Sequence, residues 1–516
     1  MLFQGANFRS QARGLARGDR PIQKAFTATV IEIPFGLGFA GKLRRSDQPG
    51  ERSCPAVRLA IVGGVAAGTK AASRARRVDP EAEIIIYQEE PEPSISECGL
   101  PYFLSGVVES REELVVRTPG EFAEKGIEVR VRHRVEKIDP EGRTLSVRAL
   151  EDGEVFEDAY DRLIVATGAQ AVLPPIPGAD LDGVFVLRFL TDADEVKGYI
   201  RGRFPERAAI VGGGYIGLEV AENLCRLGME VSLIEGEDRV ALTYGPEVAE
   251  RVEAHLAENG VTVYTGTKVE EFGGEGRVES VRFGNREIAA DLVVVGVGVK
   301  PSVELAGEAG AEIGETGAIR VDRRMRTSLR DVWAAGDCVE TVNLVSGKPA
   351  WIPLGDTANQ MGRVAGTNAA SPAGEDTLEF PGVLGTGIFK VFDLGVGKTG
   401  LSEEEAEDAG FKTVCAAIET IDRARYYPGA QKVFIKLISD RSTGRLLGAE
   451  AAGYGADKLT DICATAIWGN LAYPDLVNLD LAYAPPFGLT LSPVIQAATV
   501  LSGQFERARR GIRASE

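Results

Sequence analysis

The sequence predicts an α/β protein with two dinucleotide-binding units followed by a smaller α+β domain, and three observations carry that expectation. The run "VRLAIVGGVAAGTKAASRARRVDPEAEIIIYQEE" from Val57 has the order strand, glycine turn, helix, strand. The run "AAIVGGGYIGLEVAENLCRLGMEVSLIEGEDRV" from Ala208 repeats that order, with Gly212 placed 149 residues after Gly63. From about Phe380 the pattern changes to strands such as "QKVFIKLISD" and "RLLGAEAAG" beside the helix-like "DKLTDICATAIWGN".

Each unit has a local reason to form. An apolar β-branched run favours a strand buried on both faces, and small residues after it let a helix begin with its amides open to a pyrophosphate. After the two units, "GIEVRVRHRVEKID" and "GVTVYTGTKVEEF" alternate β-branched and polar residues, which predicts small antiparallel insertions.

Composition narrows the function. A chain of 516 residues with 44% apolar and 26% charged residues can bury a large core. Its formal charge of -18 and pI near 4.9 argue against nucleic acid or an anionic membrane as partner, so an anionic ligand needs a local basic pocket. Six cysteines without a Cys-x-x-Cys pair or a spaced Cys/His set give no disulfide scaffold and no candidate metal site, and a reducing cytoplasmic compartment is expected. Histidine occurs only at His133 and His255, so a histidine base would have to be one of these. No apolar run approaches the roughly 18 residues of a spanning helix. Residues 1–56 carry nine Lys/Arg against four acids and form a basic extension without a clean signal segment.

The first turn, Gly63-Gly64-Val65-Ala66-Ala67-Gly68, suits close approach of backbone to a pyrophosphate. Where an acid should bond a ribose hydroxyl, the chain has Gln88 with Glu89 beside it; either Gln88 replaces the acid or Glu89 serves. The second turn, Gly212-Gly213-Gly214-Tyr215-Ile216-Gly217, is followed by Glu235 at the end of the next strand. Such an acid bonds both ribose hydroxyls and repels a 2′-phosphate, so NADH is expected over NADPH, with nearby Arg239 tempering the preference.

Three further segments carry a family resemblance. "LIVATGA" (163–169) supplies Ala166, Thr167 and Gly168, "VWAAGDCVE" (332–340) supplies Gly336 and Asp337, and "VGVGVKP" (295–301) supplies Gly298. Together with the two turns they resemble the FAD-dependent pyridine nucleotide-disulfide oxidoreductases over nearly the whole of 57–506. The resemblance implies FAD in the first Rossmann-like unit, with Asp337 on the flavin ribityl chain, and NADH in the second. It also implies that the NAD(P)H domain, 173–302, is inserted between two parts of the FAD domain, 57–172 and 303–379. A C-terminal dimerisation domain, 380–506, and a tail, 507–516, complete the expected division.

The segment "SISECGLPYFLSG" holds Ser94 and the single Cys98, whereas two-cysteine members of that family carry Cys-x4-Cys. It resembles the single-cysteine branch: coenzyme A disulfide reductases, NAD(P)H sulfur or polysulfide reductases, NADH oxidases and NADH peroxidases. A lone thiol must cycle through a mixed disulfide, a persulfide or a sulfenic acid. A helix N-terminus after Cys98 is expected to help hold the thiolate. Peroxidases and many oxidases of the branch carry a histidine in the first glycine turn; Val65-Ala66-Ala67 has none, which disfavours peroxide or oxygen as acceptor. Glu97 stands where coenzyme A disulfide reductases commonly have Asn; it would either disfavour a thiolate and an anionic ligand or supply a proton. Cys225, Cys338, Cys415 and Cys463 fit a core, and Cys54 belongs to the extension.

Arg74, Arg77 and Ser94 match positions where coenzyme A disulfide reductases hold the nucleotide end of coenzyme A, and Lys70 joins them on the first helix; the plainer alternative is a solvated helix face. "RYYPGA" (425–430) and "LAYAPPF" (481–487) resemble segments that reach the partner's cysteine across a dimer. Tyr426, Tyr427 and Tyr483 would then protonate a leaving thiolate; the plainer alternative is packing. The resemblance thus implies a homodimeric enzyme that passes electrons from NADH through FAD and Cys98 to coenzyme A disulfide, with an active site shared between chains. Polysulfide or a persulfide is the nearest alternative acceptor, although persulfide-handling members often carry a C-terminal rhodanese domain, for which the roughly 30 residues after "LAYAPPF" leave no room. Oxygen, or a protein electron carrier with Cys98 inert, are the remaining alternatives.

Overall fold

The computed structural model describes residues 56–372 and 378–509, so nearly all of the basic extension, Cys54 included, lies outside the described residues. Two five-stranded parallel sheets form the centre of the chain. The first has the order Val332–Ala334, Arg162–Val165, Arg58–Val62, Glu83–Gln88, Ile127–Val131. The second has the order Thr262–Tyr264, Glu230–Ile234, Arg207–Val211, Leu292–Val295, Val184–Val186. The central strands are unbroken apolar runs, as a sheet covered on both faces requires.

The chain leaves the first sheet after Val165, builds the second, and returns to the first at Val332. The outward and return crossings pair antiparallel as Ala169–Ala171 with Val299–Pro301. The segments expected to be wholly antiparallel insertions are each split. Ile127–Val131 and Thr262–Tyr264 are parallel edge strands of the two sheets, and only the following strands, His133–Asp139 and Val269–Gly273, open separate three-stranded antiparallel sheets. Alternation along the sequence is the same for an edge strand with one open face as for an antiparallel ribbon, so periodicity could not separate them.

A five-stranded antiparallel sheet follows, in the order Gly387–Val391, Leu394–Gly400, Leu446–Gly453, Lys432–Asp440, Thr413–Ile421. The helices Ala456–Trp468 and Pro493–Arg509 share its apolar core. The last helix runs through Arg509, three residues beyond the expected end of the domain at 506. No helix among the described residues is long and apolar enough to cross a membrane.

The helix Ala66–Val78 packs against the helix Gly355–Ala370 at backbone contact. A Cβ at Gly362 would collide with the main chain of Ala67, and one at Gly366 with that of Ala71. This crossing holds the first glycine turn against the second crossover segment. Gly366→Val is therefore expected to destabilise the protein by about 2–3 kcal/mol or more, because the backbone it meets cannot yield as a side chain would. Thermal unfolding monitored by circular dichroism checks this, and the exposed Gly153→Ala gives the comparison for strain without a clash.

Candidate active site

A cavity of about 830 Å³ opens at the C-terminal ends of the first sheet. It is lined by Gly63, Ala66 and Ala67 of the first turn, by Gln88 and Glu89, by Ala166, Thr167 and Gly168, and by Gly336 and Asp337. Gly63 has φ +102°, and a Cβ there would strike the carbonyl of Ala166. Gly68 faces the carbonyl of Gly63 just as closely, so the two glycines serve the packing of turn, strand and crossover. The helix Ala66–Val78 has no side-chain cap and no acid in its first turn, which leaves its N-terminal amides available to an anion.

Gln88 and Glu89 both line this cavity and differ in their hydrogen bonds. Gln88 is buried, and its Oε1 accepts from the Gly64 N–H at 2.6 Å. Glu89 pairs instead with Arg134, which also lines the cavity. The second unit repeats the first arrangement with a charge: Glu235 Oε2 accepts from the Gly213 N–H at 2.6 Å and Oε1 from the Glu237 N–H at 2.9 Å. Its helix, Tyr215–Arg226, is likewise uncapped and free of first-turn acids.

The second cavity, about 510 Å³, is lined by Gly212, Gly214, Tyr215, Glu235, Lys268 and Gly298 among others. Ile216 and Gly217 stand outside it; Gly217 packs against the carbonyl of Gly212. Arg239 also stands outside, held by Glu404 at 2.8 Å, so the cation inside the cavity is Lys268, a residue whose place on the loop after Thr262–Tyr264 no motif announces.

Cys98 lies in the short 3₁₀ turn Glu97–Gly99, ahead of the helix Leu100–Ser105, and is exposed. Ser94 ties this segment to the first turn: it has φ +58°, and its N–H donates to the Gly64 carbonyl at 2.7 Å. Glu97 lines the first cavity together with Asp337, and Arg188 reaches both, with Nη1 3.2 Å from Glu97 Oε2 and Nη2 3.2 Å from Asp337 Oδ2. Its Nε donates to the Ala169 carbonyl at 3.1 Å. Burial raises the Glu97 carboxyl to about 7 despite Arg188. Burial also raises Asp337, against the pull of the same guanidinium.

The thiol of Cys98 is pushed up, first by desolvation and then by Glu219 and Glu97. The expected help from the helix N-terminus is therefore outweighed: the backbone lowers the thiol, but a six-residue helix faces two carboxyl groups. Glu219, from the helix Tyr215–Arg226, accepts from the Tyr102 hydroxyl at 3.2 Å, and burial lifts its carboxyl to about 7. Arg188 and Glu219 come from the second unit, and the sequence carries no local signal that either would face Cys98.

Lys70, Arg74 and Arg77 share one face of the helix Ala66–Val78, and none has a carboxylate partner among the described residues. Arg74 Nε donates to Thr367 Oγ1 at 2.9 Å, and Arg117 comes to Ser73 of the same helix at 3.4 Å. In the C-terminal domain Tyr426 is hydrogen-bonded to Tyr483, which raises the Tyr426 hydroxyl. Tyr426 and Phe487 are 77% and 76% exposed, and Tyr427 and Tyr483 are also open to solvent. Neither tyrosine segment lines the cavity that contains Glu97. Of the two histidines, His133 lines the first cavity, with its Nδ1 2.7 Å from the Val131 carbonyl, and His255 lines neither cavity, with its Nε2 2.8 Å from Asp393. Cys338 and Cys463 are buried, Cys225 and Cys415 partly so.

Two nucleotide cavities on twin parallel sheets, with one exposed thiol beside the first, define a two-nucleotide flavoprotein oxidoreductase. Residues 57–362 match the pyridine nucleotide-disulphide oxidoreductase family and residues 387–492 match its dimerisation domain, and the chain belongs to that family. It is accordingly an oxidoreductase that uses FAD and NAD(P)H.

It is 39% identical over 446 residues to a coenzyme A-dependent NAD(P)H sulfur oxidoreductase of Pyrococcus furiosus, covering 86% of this chain and 99% of that one. It is 31% identical over 433 residues to a coenzyme A disulfide reductase of Staphylococcus aureus, covering 83% and 96%. Among solved structures, an NAD-dependent persulfide reductase from A. fulgidus matches with a TM-score of 0.84 at 41% identity, covering 88% of this chain and 84% of that one.

The electrostatics around Cys98 make a prediction with a definite sign. Removing the Glu97 charge relieves one of the groups that raise the thiol, so Glu97→Gln should shift the alkylation profile of Cys98 by iodoacetamide to lower pH. A profile unmoved or moved to higher pH would show that Glu97 does not act on the sulfur.

Proposed function

We propose that this protein reduces coenzyme A disulfide with NADH, in a homodimer whose active sites are each completed by the partner chain. The observation that carries this reading is an exposed single thiol on the segment that Ser94 ties to the first glycine turn, together with the helix that follows that turn, whose three cations have no carboxylate partner among the described residues.

FAD suits the first cavity. The uncapped helix Ala66–Val78 would hold its pyrophosphate, Gln88 and Glu89 its adenosine end and Asp337 its ribityl chain, all of them lining or opening on that cavity. NADH suits the second, where Glu235 bonds the ribose and Lys268 stands nearby. When bound, FAD would supply the two-electron relay between NADH and sulfur.

The residues of the chain do the rest. In the resting form Cys98 is disulfide-bonded to coenzyme A; two electrons and a proton break that bond and release one coenzyme A thiol, leaving Cys98 as thiolate. The Cys98 thiolate attacks coenzyme A disulfide, forms the mixed disulfide again, and expels a second coenzyme A thiolate. Tyr426, Tyr427 and Tyr483 of the neighbouring chain protonate it. NADH, one proton and one disulfide thus give NAD⁺ and two thiols. Lys70, Arg74, Arg77 and Ser94 hold the phosphates of coenzyme A, and Glu97, with its carboxyl near 7, exchanges the proton nearest the sulfur. A reducing, cytoplasmic setting suits the exposed thiol.

A second reading has its own support. The carboxyl groups of Glu97 and Glu219 beside Cys98 disfavour a multiply charged ligand such as coenzyme A disulfide and favour a small sulfur acceptor of lower charge, such as a persulfide or polysulfide.

Anaerobic NADH oxidation with coenzyme A disulfide, polysulfide and glutathione disulfide in turn separates the readings. Fast turnover of coenzyme A disulfide that Cys98→Ser abolishes is expected, and turnover of polysulfide alone selects the second reading. Arg74→Ala and Arg77→Ala should each raise KM for coenzyme A disulfide on the order of tenfold with kcat little changed, as lost charge-assisted bonds to phosphate do. Unchanged KM in both would remove the cationic face from the site.

A further inference from the structure

A buried row of charges crosses the C-terminal sheet where the second nucleotide unit docks on it. Lys398, Glu450 and Lys436 are register partners on three adjacent strands: Lys398 opposite Glu450, and Glu450 opposite Lys436. They are 5%, 1% and 4% exposed. Burying three charges is costly unless each meets a partner.

The partners come largely from the nucleotide unit. Lys398 Nζ donates to the Thr243 carbonyl at 2.7 Å and to Glu405 at 2.6 Å. Glu450 Oε1 accepts from the Gly245 N–H at 2.8 Å, ahead of the helix Pro246–Glu258, and its Oε2 has no hydrogen-bond partner among the described residues. Lys436 Nζ bonds Glu247 at 2.9 Å and Glu403 at 2.8 Å. Against the desolvation of burial, these two carboxylates hold the Lys436 ammonium above its usual range.

The segment so gripped, 241–245, forms one wall of the second cavity through Ala241, Leu242 and Thr243. It is not relaxed chain. Ala241 has φ +51°, a conformation an alanine adopts only when its surroundings impose it. Its N–H donates to the Gly213 carbonyl at 2.9 Å, and Gly213 in turn donates to Glu235. The charge row thus grips Thr243 and Gly245, the main chain between them is turned back by the Tyr244 N–H donating to the Ala241 carbonyl at 2.8 Å, and Ala241 is bonded in turn to the glycine turn that holds Glu235. Tyr244 is buried, its hydroxyl 3.3 Å from that of Tyr215.

We propose that Lys398 and Glu450, with Lys436 anchoring the helix that follows, are positioning residues for the pyridine nucleotide: the C-terminal sheet sets the wall of the NAD(P)H cavity. They touch no reacting atom. A purely apolar seam could join the domains as well, but it could not fix the Thr243 carbonyl and the Gly245 amide at defined points.

The test is NAD⁺ binding by calorimetry on the flavin-loaded dimer, with no disulfide acceptor present, so the result stands apart from the choice of acceptor. Lys398→Met should weaken NAD⁺ binding, and raise KM for NADH, on the order of tenfold, the scale of one lost charge-assisted hydrogen bond. The kcat at saturating NADH and KM for the disulfide should stay within about twofold, and Lys398→Arg should recover most of the binding. A folded, flavin-loaded Lys398→Met that binds NAD⁺ as the wild type does overturns the proposal. If that variant does not fold, hydrogen exchange on the unmodified protein decides: the Gly245 amide should be further protected by NAD⁺, and an exchange rate unchanged by saturating NAD⁺ overturns it equally.

Discussion

One guanidinium sits at the junction of everything this protein does. Arg188 is shared between Glu97, next to the single thiol, and Asp337, at the end of the second crossover, and it is itself fixed by the Ala169 carbonyl of the first crossover. Two buried carboxyl groups on one cation leave the surroundings of Cys98 short of positive charge, and Glu219 adds a third carboxyl from the other unit. The thiol is raised first by desolvation and then by Glu219 and Glu97. A raised thiol gives less thiolate at neutral pH but a more strongly nucleophilic one, so the site trades readiness for reactivity. The cations that would favour the charged form stand on the helix Ala66–Val78, where a phosphate-bearing ligand rather than the sulfur would meet them.

The two nucleotide units use the same backbone device and differ at one side chain. In both, a strand ends in a glycine with φ near +105°, and a second glycine five residues on lets the helix rest on the carbonyl of the first. In both, a side-chain oxygen at the end of the next strand accepts from the second amide of the turn. Gln88 does this without charge, and the neighbouring Glu89 is neutralised by Arg134. Glu235 does it with a charge that no ion pair offsets among the described residues, because Arg239 is drawn off by Glu404. The second cavity therefore keeps an acid, Glu235, that no ion pair offsets among the described residues, and a single cation, Lys268.

Much of this was legible in the sequence for a physical reason. Glycine turns, apolar strands and a cysteine followed by Gly-Leu-Pro-Tyr are local, and local geometry is what spacing encodes. The family resemblance then supplied the inserted order of the two units and the flavin assignment, which no local pattern holds. What stayed hidden is what depends on tertiary approach. Arg188 follows an edge strand of the second sheet and Glu219 lies mid-helix in the second unit, yet both act on Cys98. The parallel edge strands Ile127–Val131 and Thr262–Tyr264 looked like parts of antiparallel ribbons because half-buried alternation is common to both. The charge row of Lys398, Glu450 and Lys436 is scattered over 53 residues and becomes a row only through strand register.

The central claim is that Cys98 cycles through a mixed disulfide with coenzyme A. Its most direct measurement is the intact mass of the protein isolated without reductant, before and after anaerobic NADH. One coenzyme A per chain, bound through Cys98, absent from Cys98→Ser and released by one equivalent of NADH, is the predicted result. A free Cys98 thiol, or an adduct that NADH does not release, would contradict it.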